Sequence, residues 1–296
     1  MQGSAVTIGK FDAIHLGHRQ LLQELVEYGI DHQLKTVAVT FDRHPLSVLN
    51  PDAVPKPIIG PKQKAQLIAE CGVSDTVTLE FTEELAHLSA EEFVRQILVE
   101  QLEAKFVIVG HGFRFGANGE GDCARLAELG DRYGFVFKEL APFKIDGAAV
   151  STTRIRDMLD AGEISAANRL LGRSHLTTGV IEHGLKIGRT IGFPTANMSR
   201  DAEGFLPKDG IYAGWLQNGL IHYPAAISVG QNETFQAVPR LAEAYVLDET
   251  DLDLYDQEVS LEYVEFVRPP AKFNGVEDLV AEINRDIAKI RVILRL

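Results

Sequence analysis

The sequence predicts a doubly wound α/β domain over residues 1–172, followed by a small antiparallel β-barrel with a C-terminal helix over residues 173–296. Three observations predict this fold class. A chain of 296 residues exceeds one ordinary domain and fits two. In the first part, short apolar strand segments alternate with helical segments, which is typical of a parallel sheet. In the second part, strand segments follow one another with only turn residues between them, as in a small closed barrel.

Composition narrows the class of protein. Hydrophobic residues make up 45% and charged residues 24% of the chain, as in a soluble globular protein. The net charge of −13 argues against nonspecific binding to nucleic acid or to an anionic membrane. The two cysteines form no disulfide framework, and no signal peptide or apolar run of about 18 residues is present. We therefore expect a cytoplasmic protein with no nucleic-acid or membrane partner, and the sequence leaves its oligomeric state open.

The elements of the first domain follow in a regular order. Strands are predicted at residues 5–9, 36–41, 77–79, 106–110 and 135–137, and helices from about residue 18 and at residues 61–70 and 89–102. Ligands of doubly wound sheets bind at the carboxyl ends of the strands. We therefore expect the loops at residues 10–17, 42–45 and 111–116 to converge on one edge of the sheet.

The first of these loops joins a strand to a helix N-terminus, which is an arrangement that binds anions. His15 and His18 flank Gly17 in this loop. As hydrogen-bond donors they could bracket a triphosphate and stabilise charge on its α-phosphate. A metal site is the weaker interpretation, because no third ligand is evident nearby. A pair of surface histidines without a function is the remaining alternative.

A hydroxyl-rich segment precedes the last helices of the first domain. Ser151, Thr152 and Thr153 can cap a helix that runs to about Ala161, and a further helix is predicted at residues 164–171. The same hydroxyls and N–H groups can bind ATP phosphates beside Arg154. Capping alone is the alternative interpretation.

Six strands are predicted in the second domain, and no helix is expected between them. They lie at residues 177–182, 190–198, 210–215, 223–229, 243–248 and 259–267. A final helix begins at about Val276 and carries an apolar face that fits against a barrel wall.

The segment GRTIGFPTAN, residues 188–197, concentrates the most chemistry in the fewest positions. Gly188 and Gly192 permit a backbone shape and a close approach that a Cβ atom would prevent. Arg189 supplies a fork of donors suited to phosphate, and Pro194 stiffens the chain.

Thr195 and Asn197 close this segment at alternating positions. In an extended chain their oxygen atoms point to the same side, where they suit Mg²⁺ together with a nucleotide phosphate. The alternative is a tight Gly/Pro turn between two strands, without a ligand.

Two motifs resemble those of known enzyme families. GRTIGFPTAN resembles the signature of riboflavin kinases, and FDAIHLGH at residues 11–18 is similar to the His-x-Gly-His element of nucleotidylyltransferases. In this order they resemble bacterial bifunctional riboflavin kinase/FAD synthetase, and the resemblance covers nearly the whole chain.

The resemblance implies roles for single residues. Glu243 matches the catalytic base of the kinase, while His15, His18 and Arg154 match catalytic groups of the adenylyltransferase. For Glu243 the alternative is a solvated strand end, and for Arg268 it is a surface arginine. The implied ATP and phosphate ligands are Gly9, Phe11, Gly17, Ser151, Thr152, Thr153, Gly188, Arg189, Gly192, Pro194, Thr195 and Asn197, with Thr195 and Asn197 also at the metal. The implied flavin-binding residues are His44, Pro45, Phe113, Phe115 and Arg268.

The resemblance implies that ATP phosphorylates riboflavin to FMN, with Mg²⁺, and that a second ATP adenylylates FMN to FAD with release of pyrophosphate. Flavins would be substrate and product.

The chain departs from the family at Ala13, where Gly is usual, at Arg43, where Pro is usual, and at Gly112, where Asn or Asp is usual. The alternatives are a kinase with an inactive or re-purposed adenylyltransferase half, and a non-catalytic flavin-binding regulator.

Overall fold

A computed structural model describes residues 3–184, 187–231, 240–249 and 251–296. The chain divides into two compact units, Met1–Pro57 with Pro61–Ser151, and Ile58–Gly60 with Thr152–Leu296. The second unit therefore includes the two helices before residue 172, which the sequence prediction assigned to the first domain. The domain boundary at residues 172 and 173 stays a prediction.

The first unit is built on a five-stranded parallel sheet. Its strands are β1 (Ser4–Ile8), β2 (Lys35–Phe41), β3 (Asp75–Leu79), β4 (Ala104–Gly110) and β5 (Val136–Leu140). Their spatial order is β3-β2-β1-β4-β5, and all four pairings are parallel. The chain thus winds outward from β1 in both directions, which confirms the doubly wound fold.

Helices connect the strands of this sheet along the chain. They are α1 (Leu16–His32), α2 (Leu46–Leu49), α3 (Pro61–Glu70), α4 (Glu83–His87), α5 (Ala90–Phe93) and α6 (Cys123–Tyr133), with 3-10 turns at Pro51–Ala53 and Ala117–Gly119 and a small hairpin of β6 (Lys144–Ile145) and β7 (Ala148–Ala149). A capping box of Ser89 and Glu92 starts α5. The helix predicted over residues 89–102 continues beyond α5 as a π-helix, Val94–Gln101.

The two faces of the sheet carry different residues. Val6, Val37 and Val107 belong to a hydrophobic core cluster that also includes residues of α5 and α6. On the face toward α1, Tyr28 stacks on Phe106 with ring centroids 3.6 Å apart. Close packing of α1 keeps the loop before it against the carboxyl end of β1.

The second unit contains a closed antiparallel barrel. Its strands are β8 (His175–Glu182), β9 (Thr195–Met198), β10 (Gly210–Asn218), β11 (Ile221–Gly230), β12 (Leu241–Val246) and β13 (Glu258–Arg268). The order around the barrel is β10-β11-β12-β9-β8-β13, and the β10–β13 pairing closes it. The predicted six-stranded barrel is therefore confirmed.

Along the chain, the helices of the second unit come before, between and after the barrel strands. They are α7 (Thr152–Ala161), α8 (Ile164–Leu171), α9 (Ile187–Thr190) and α10 (Val276–Leu294). Ile290 of α10 is fully buried against Ala213 and Leu247. The predicted C-terminal helix thus packs on the barrel by one apolar face.

The short segment Ile58–Gly60 also belongs to the second unit. The carbonyl oxygen of Ile58 accepts a hydrogen bond of 3.0 Å from the backbone N–H of Phe205. Gly60 lies so close to the side chain of Glu203 that a Cβ atom would overlap it. Ile58 and Ile59 are buried.

One strand prediction in the barrel is partly wrong. The strand expected over residues 190–198 begins only at Thr195, and α9 precedes it, although no helix was expected between the strands. Gly192 has φ +88°, which is incompatible with an extended strand, and Pro194 has no N–H for a ladder. These two residues delay the strand.

Candidate active sites

The loop between β1 and α1 presents a histidine with a defined tautomer. His15 is the N-cap of α1, and its Nδ1 accepts a hydrogen bond of 3.2 Å from the backbone N–H of His18. A ring nitrogen that accepts cannot carry a proton, so the neutral His15 ring carries its hydrogen on Nε2. His15 is therefore a hydrogen-bond donor through Nε2 at the N-terminus of a helix, where anions bind.

His18 stacks on His15, with ring centroids 3.8 Å apart and planes inclined by 10°. Burial, and to a lesser degree the neighbouring His15, lowers the pKa of His18 well below 6.5. His18 is thus neutral at pH 7. Its buried Nδ1 has no hydrogen-bond partner among the described residues, which leaves this atom able to bind a ligand or water.

The backbone of this loop is strained. Phe11 and Ile14 have φ +48° and +42°, and both side chains are fully buried. Such conformations cost on the order of 1–3 kcal/mol each, so the core must hold them in place. The ring of Phe11 lies close to Gly9, where a Cβ atom would come within 3.0 Å of it.

The space around Gly17 and Ala13 explains why these two positions of the loop hold small residues. A Cβ atom on Gly17 would lie 3.2 Å from the His15 ring and 3.3 Å from Phe143, so this glycine lets the ring and the helix start pack closely. Ala13 is fully buried, and the positive φ angles of the loop fall on its neighbours rather than on Ala13. The backbone conformation at this position therefore does not require the conformational freedom of glycine, and alanine can adopt it.

Arg43, the second departure from the family, is engaged by acidic neighbours. Its Nε donates to Asp42 Oδ2 at 2.7 Å, and its Nη2 lies 3.8 Å from Glu80. Asp42 Oδ1 also accepts from the backbone N–H of Phe81 at 2.9 Å. The arginine charge is thus balanced locally at the ends of β2 and β3.

His44 and Pro45 follow at the start of α2. The Nδ1 of His44 accepts from the backbone N–H of Leu46 at 3.1 Å, and Pro45 is the N-cap residue. The Nζ of Lys10 lies 3.3 Å from His44 Nε2. The loops after β1 and β2 therefore meet, as the convergence of strand ends predicts. The flavin contacts of His44 and Pro45 stay predictions.

The loop after β4 is held mainly by aromatic packing. Phe115 is buried and lies against Phe93, while Phe113 stacks on Phe115 with centroids 5.7 Å apart. Phe115 is therefore a core residue that supports Phe113. Flavin binding by either residue stays a prediction.

Gly112 has φ +73°, and a Cβ atom there would meet no atom within 4 Å. The adjacent His111 is exposed, and its Nδ1 lies 2.7 Å from Glu139 Oε1. The missing side chain thus leaves open space beside a fixed histidine. Cys123, for which burial raises the pKa of the thiol, lies next to the same Glu139.

Ser151 ends the first unit, and Thr152, Thr153 and Arg154 begin α7 in the second unit. Their binding of ATP phosphates together with the histidine loop stays a prediction.

The second site lies where β9 pairs with β12. Asn197 is opposite Glu243, and Thr195 is opposite Tyr245, so these four residues lie on one side of the two strands. The Thr195 hydroxyl donates to Glu243 Oε2 at 3.3 Å, and Asn197 Nδ2 donates to the carbonyl oxygen of Thr195 at 3.2 Å. The structure thus brings Thr195 and Asn197 together with Glu243, which follows Thr195 by 48 residues in the sequence.

Burial raises the pKa of Glu243 above 4.5, and the hydrogen bond from Thr195 offsets part of this effect. A carboxylate with a raised pKa is a better proton acceptor. The geometry and the pKa shift therefore both suit a general base.

The turn before β9 depends on its glycines. A Cβ atom on Gly188 would overlap the carbonyl oxygen of Phe193, whose N–H donates to Gly188 O at 2.8 Å. The positive φ of Gly192 completes the turn. A further glycine, Gly184, was missed by the sequence reasoning. A Cβ atom there would lie 2.5 Å from the Asn197 side chain.

A pocket that is open to solvent adjoins these residues. It is lined by Ile181, Gly184, Arg189, Pro194, Thr195, Ala196, Asn197, Ala244, Val246, Glu249, Leu252, Leu254 and Tyr255. Thr195 joins the pocket to Glu243, which contacts it from the neighbouring strand. Four of these residues were not predicted, because nothing in their local pattern indicates a ligand: Glu249, Leu252, Leu254 and Tyr255.

Arg268 forms internal ion pairs. Its Nε lies 3.0 Å and 2.9 Å from the two carboxylate oxygens of Asp286, and Glu282 Oε1 is 3.7 Å away. The guanidinium also lies over the ring of Phe273, 5.8 Å from its centroid. These contacts connect the end of β13 to α10. The predicted role of Arg268 at the flavin stays a prediction.

Within the ranges that the structure describes, no group of three or more His, Cys, Asp or Glu residues is arranged for a metal ion. Thr195 and Asn197 fit Mg²⁺ differently, because they offer two hard oxygen donors that need nucleotide phosphates to complete the coordination. In the same part of the chain no helix is long and apolar enough to cross a membrane.

Comparisons with known proteins match both parts of the chain to known families. The FAD synthetase family model matches residues 1–154, and the riboflavin kinase family model matches residues 171–294. A bifunctional riboflavin kinase/FMN adenylyltransferase of Escherichia coli strain K12 is 34% identical over 286 residues, covering 96% of this chain and 91% of the relative. The enzyme of that name from Listeria monocytogenes is 35% identical over 285 residues, covering 95% and 89%.

A solved structure is also similar over nearly the full length. It bears the name macrolide-efflux protein from Streptococcus pneumoniae, and it matches with a TM-score of 0.88 and 28% identity, covering 98% of this chain and 95% of that one. Both family models and the full-length relatives agree on the assignment. The chain belongs to the bifunctional riboflavin kinase/FMN adenylyltransferase family.

Proposed function

We propose that this chain phosphorylates riboflavin with ATP to give FMN and then transfers the AMP group of a second ATP to FMN, giving FAD and pyrophosphate. The observation that carries the proposal is the full-length match to relatives named for both activities. The grouping of Thr195, Asn197 and Glu243 supports the first reaction, and the His15/His18 loop supports the second.

In the kinase reaction, Glu243 accepts the proton of the terminal ribityl hydroxyl as its oxygen attacks the γ-phosphorus of ATP. The bond between that phosphorus and the bridging oxygen breaks, and ADP leaves. The Thr195 hydroxyl, which donates to Glu243 Oε2, orients the carboxylate for this transfer. Thr195 and Asn197 would hold Mg²⁺, which when bound neutralises negative charge on the phosphates.

In the adenylyl transfer, a phosphate oxygen of FMN attacks the α-phosphorus of ATP, and the bond to the bridging β-phosphate oxygen breaks. The attacking group is already ionised, so no proton acceptor is needed. Catalysis then consists of positioning and charge stabilisation. His15 contributes its Nε2–H, and the N–H groups at the start of α1 contribute a fixed positive potential. Arg154 adds a cation in this proposal.

The proposal includes ATP, riboflavin and FMN as the small-molecule partners, Mg²⁺ as the metal, and the cytoplasm as the location. It also keeps residues 1–172 as the adenylyltransferase domain and residues 173–296 as the kinase domain.

Chromatography of products tests the proposal. Purified protein is incubated with riboflavin, ATP and Mg²⁺, and the flavins are separated over time. We expect FMN first and FAD later. Accumulation of FMN without FAD would contradict the second reaction. Unchanged riboflavin would contradict the first reaction, and a parallel incubation with added FMN and ATP then tests the second.

A further inference from the structure

The loop after β4 places a histidine at the point where the strand order of the first unit reverses. From β1 the chain proceeds to β2 and β3 on one side, and later to β4 and β5 on the other. Because β1 and β4 are parallel, their carboxyl ends lie at one edge of the sheet, and ligands of doubly wound sheets bind in the crevice there. His111 directly follows β4, and the His15/His18 loop follows β1. His111 therefore borders this crevice.

Contacts with β5 fix the ring of His111. Its Nδ1 lies 2.7 Å from Glu139 Oε1, and its backbone N–H donates to the carbonyl oxygen of Leu140 at 3.0 Å. A carboxylate can only accept, so Nδ1 carries the hydrogen and the lone pair of the neutral ring lies on Nε2. Among the described residues the ring has no other hydrogen-bond partner, and its side chain is 66% exposed. Nε2 is thus an acceptor that is available to a ligand.

The carboxylate and the loop are held in turn by Cys123. Its thiol donates a hydrogen bond to Glu139, and the backbone N–H groups of Gly112 and Phe113 donate to its sulfur. An exposed ion pair contributes little to stability, so stability alone does not account for a histidine that is anchored in this way. Preorganisation of a hydrogen-bonding atom for a ligand does account for it.

The space beside His111 suits a flat aromatic ligand. A Cβ atom on Gly112 would meet no atom within 4 Å. Phe113, on the other side of Gly112 in the sequence, is half-buried and stacks on Phe115. An open space with an aromatic ring and one hydrogen-bond acceptor suits a planar heterocycle. The acceptor requires that the edge of this heterocycle carry an N–H group.

We propose that His111 Nε2 accepts the imide N3–H of the isoalloxazine ring of FMN in the adenylyl transfer. The inference rests on the proposed function and adds His111 to its flavin-binding residues, with Glu139 as the positioning residue for the ring. The isoalloxazine carries N3–H between two carbonyl oxygens at one edge. Adenine also has an N–H edge, but in the proposed function the start of α1 holds ATP by its phosphates. The loop after β4 then supplies the contact that selects the flavin.

Steady-state kinetics of FAD formation test the contact. FMN and its analogue methylated at N3 are each varied at saturating ATP, and ATP is varied at saturating FMN. Loss of one hydrogen bond should raise KM for FMN about fivefold in His111→Ala, with KM for ATP changed less than about twofold. The preference for FMN over the methylated analogue should fall by the same factor, because the analogue cannot make the bond in either protein.

Glu139→Gln keeps the shape of the side chain but removes the charge that holds the hydrogen on Nδ1. It should lower the preference for FMN about threefold. His32→Ala is the matched control, because His32 is an exposed histidine at the C-terminal end of α1, away from the helix start. It should leave the preference and both KM values unchanged. The inference is overturned if His111→Ala raises the KM of both flavins alike, if only KM for ATP rises, or if His32→Ala has the same effect.

A binding measurement separates this inference from the proposed function. The ring-nitrogen NMR signals of His111, assigned by their loss in His111→Ala, are followed in the wild type during titration with FMN, with the N3-methylated analogue and with ATP. We expect FMN to shift the Nε2 signal at a concentration at least about fivefold lower than the analogue does, and ATP to shift it little. A wild type that binds FMN in this way but makes no FAD contradicts the proposed function alone. An equal response to the analogue, a larger response to ATP, or no response to FMN contradicts the contact, whether or not FAD is formed.

Discussion

At the scale of single residues, burial and one hydrogen bond set the properties of the Glu243 carboxylate. The carboxylate is desolvated by the barrel, so its pKa rises, and the Thr195 hydroxyl keeps one oxygen in place. The opposing Asn197 adds an amide on the same side of the strands.

Glu243→Gln should lower the rate of FMN formation by at least about 10²-fold, the usual contribution of a general base. The rate of FAD formation from added FMN should not change, because the His15/His18 loop lies in the first unit and Glu243 is not among the residues proposed for that reaction. Both rates are measured on one preparation, so the second reaction controls for folding. A kinase rate within tenfold of the wild type would remove Glu243 as the base.

The raised pKa also predicts the acid limb of the kinase rate. Glu243 must be ionised to accept a proton, so FMN formation should fall as pH drops through its raised pKa. The fall should begin at a higher pH than for a carboxyl group with the ordinary pKa of 4.5. A pH–rate profile of kcat for FMN formation checks this, with substrate saturation verified at each pH. A profile that stays flat down to pH 4.5 would contradict the role.

Single substitutions should separate the two reactions. His18→Ala should abolish FAD formation and spare FMN formation, whereas Asn197→Ala should do the reverse when FMN is supplied for the second reaction. The reason is that the stacked histidines and the Asn197–Glu243 pair belong to different units. Loss of both activities in either variant would contradict the two-site scheme.

Gly112→Asn should be tolerated by the fold, because the position has open space and asparagine adopts positive φ more readily than most residues. It restores the polar side chain that the family has there, and we expect KM for FMN in FAD formation to fall severalfold. Gly112→Val is the matched control, since a β-branched residue at φ +73° should destabilise the unit by more than about 1 kcal/mol. An unchanged or higher KM in Gly112→Asn would show that the adenylyl site does not need this side chain.

At the scale of secondary-structure elements, some features of the second unit and of the first could be predicted from local sequence patterns and others could not. The extended pairing of Thr195 and Asn197 follows from alternation and was predicted. The delayed start of β9 was not predicted, because it depends on the positive φ of Gly192 and on the missing N–H of Pro194, which the apolar pattern does not show. The helix α6 was also missed, although its cap, Asp122, accepts from Arg125 N–H at 2.9 Å.

Contacts between distant segments were beyond sequence reasoning. Gly184 is required by the position of Asn197 across the turn, and the pairing of Arg268 with Asp286 requires α10 to pack on the end of β13. No local pattern distinguishes such residues from an ordinary glycine or a surface charge.

The Arg268–Asp286 pair yields a stability prediction. Asp286 is 3% exposed, so Asp286→Ala leaves a largely buried arginine without its carboxylate and should lower the free energy of unfolding of the barrel unit by about 3 kcal/mol. The double variant Arg268→Met/Asp286→Leu should lose less, because no charge is left unpaired. Urea unfolding followed by the fluorescence of Trp215 on β10 measures both, since this is the sole tryptophan of the chain. Equal losses in the two variants would show that packing, not charge, dominates.

At the scale of the whole molecule, the two units carry distinct chemistry, and the fold class of each followed from strand and helix order. Hydrophobic periodicity and turn residues indicate the local strands and helices. The order of these elements then indicates a parallel sheet or a barrel. The assignment of helices α7 and α8 and of Ile58–Gly60 to the second unit depends on tertiary packing, which the sequence pattern does not encode.

The stability of the barrel unit should depend on pH through His175. This ring is 1% exposed, its Nε2 lies 2.6 Å from the carbonyl oxygen of Phe205, and burial lowers its pKa to about 4. Between pH 6.5 and 4 the unfolded chain binds a proton at this histidine and the folded chain does not. The free energy of unfolding should therefore fall by about 3 kcal/mol as the pH drops through this range.

Urea titrations at several pH values, followed by Trp215 fluorescence, measure this slope. His175→Gln is the control, because its amide can still donate to Phe205 but does not titrate. Its unfolding free energy should vary less with pH over the same range. A slope equal to that of the wild type would assign the acid sensitivity to other groups.

The placement of Ile58–Gly60 has a consequence for biosynthesis. The ribosome delivers this segment well before Phe205, its hydrogen-bond partner, and at usual synthesis rates the delay is roughly 7 to 30 seconds. Two isoleucines that are buried in the folded protein, Ile58 and Ile59, therefore stay uncovered in the nascent chain until the surface that covers them is synthesised. Translation speed and chaperone access during this interval should affect the yield of the barrel more than that of the parallel sheet, whose last strand ends at Leu140, before the first barrel strand begins at His175.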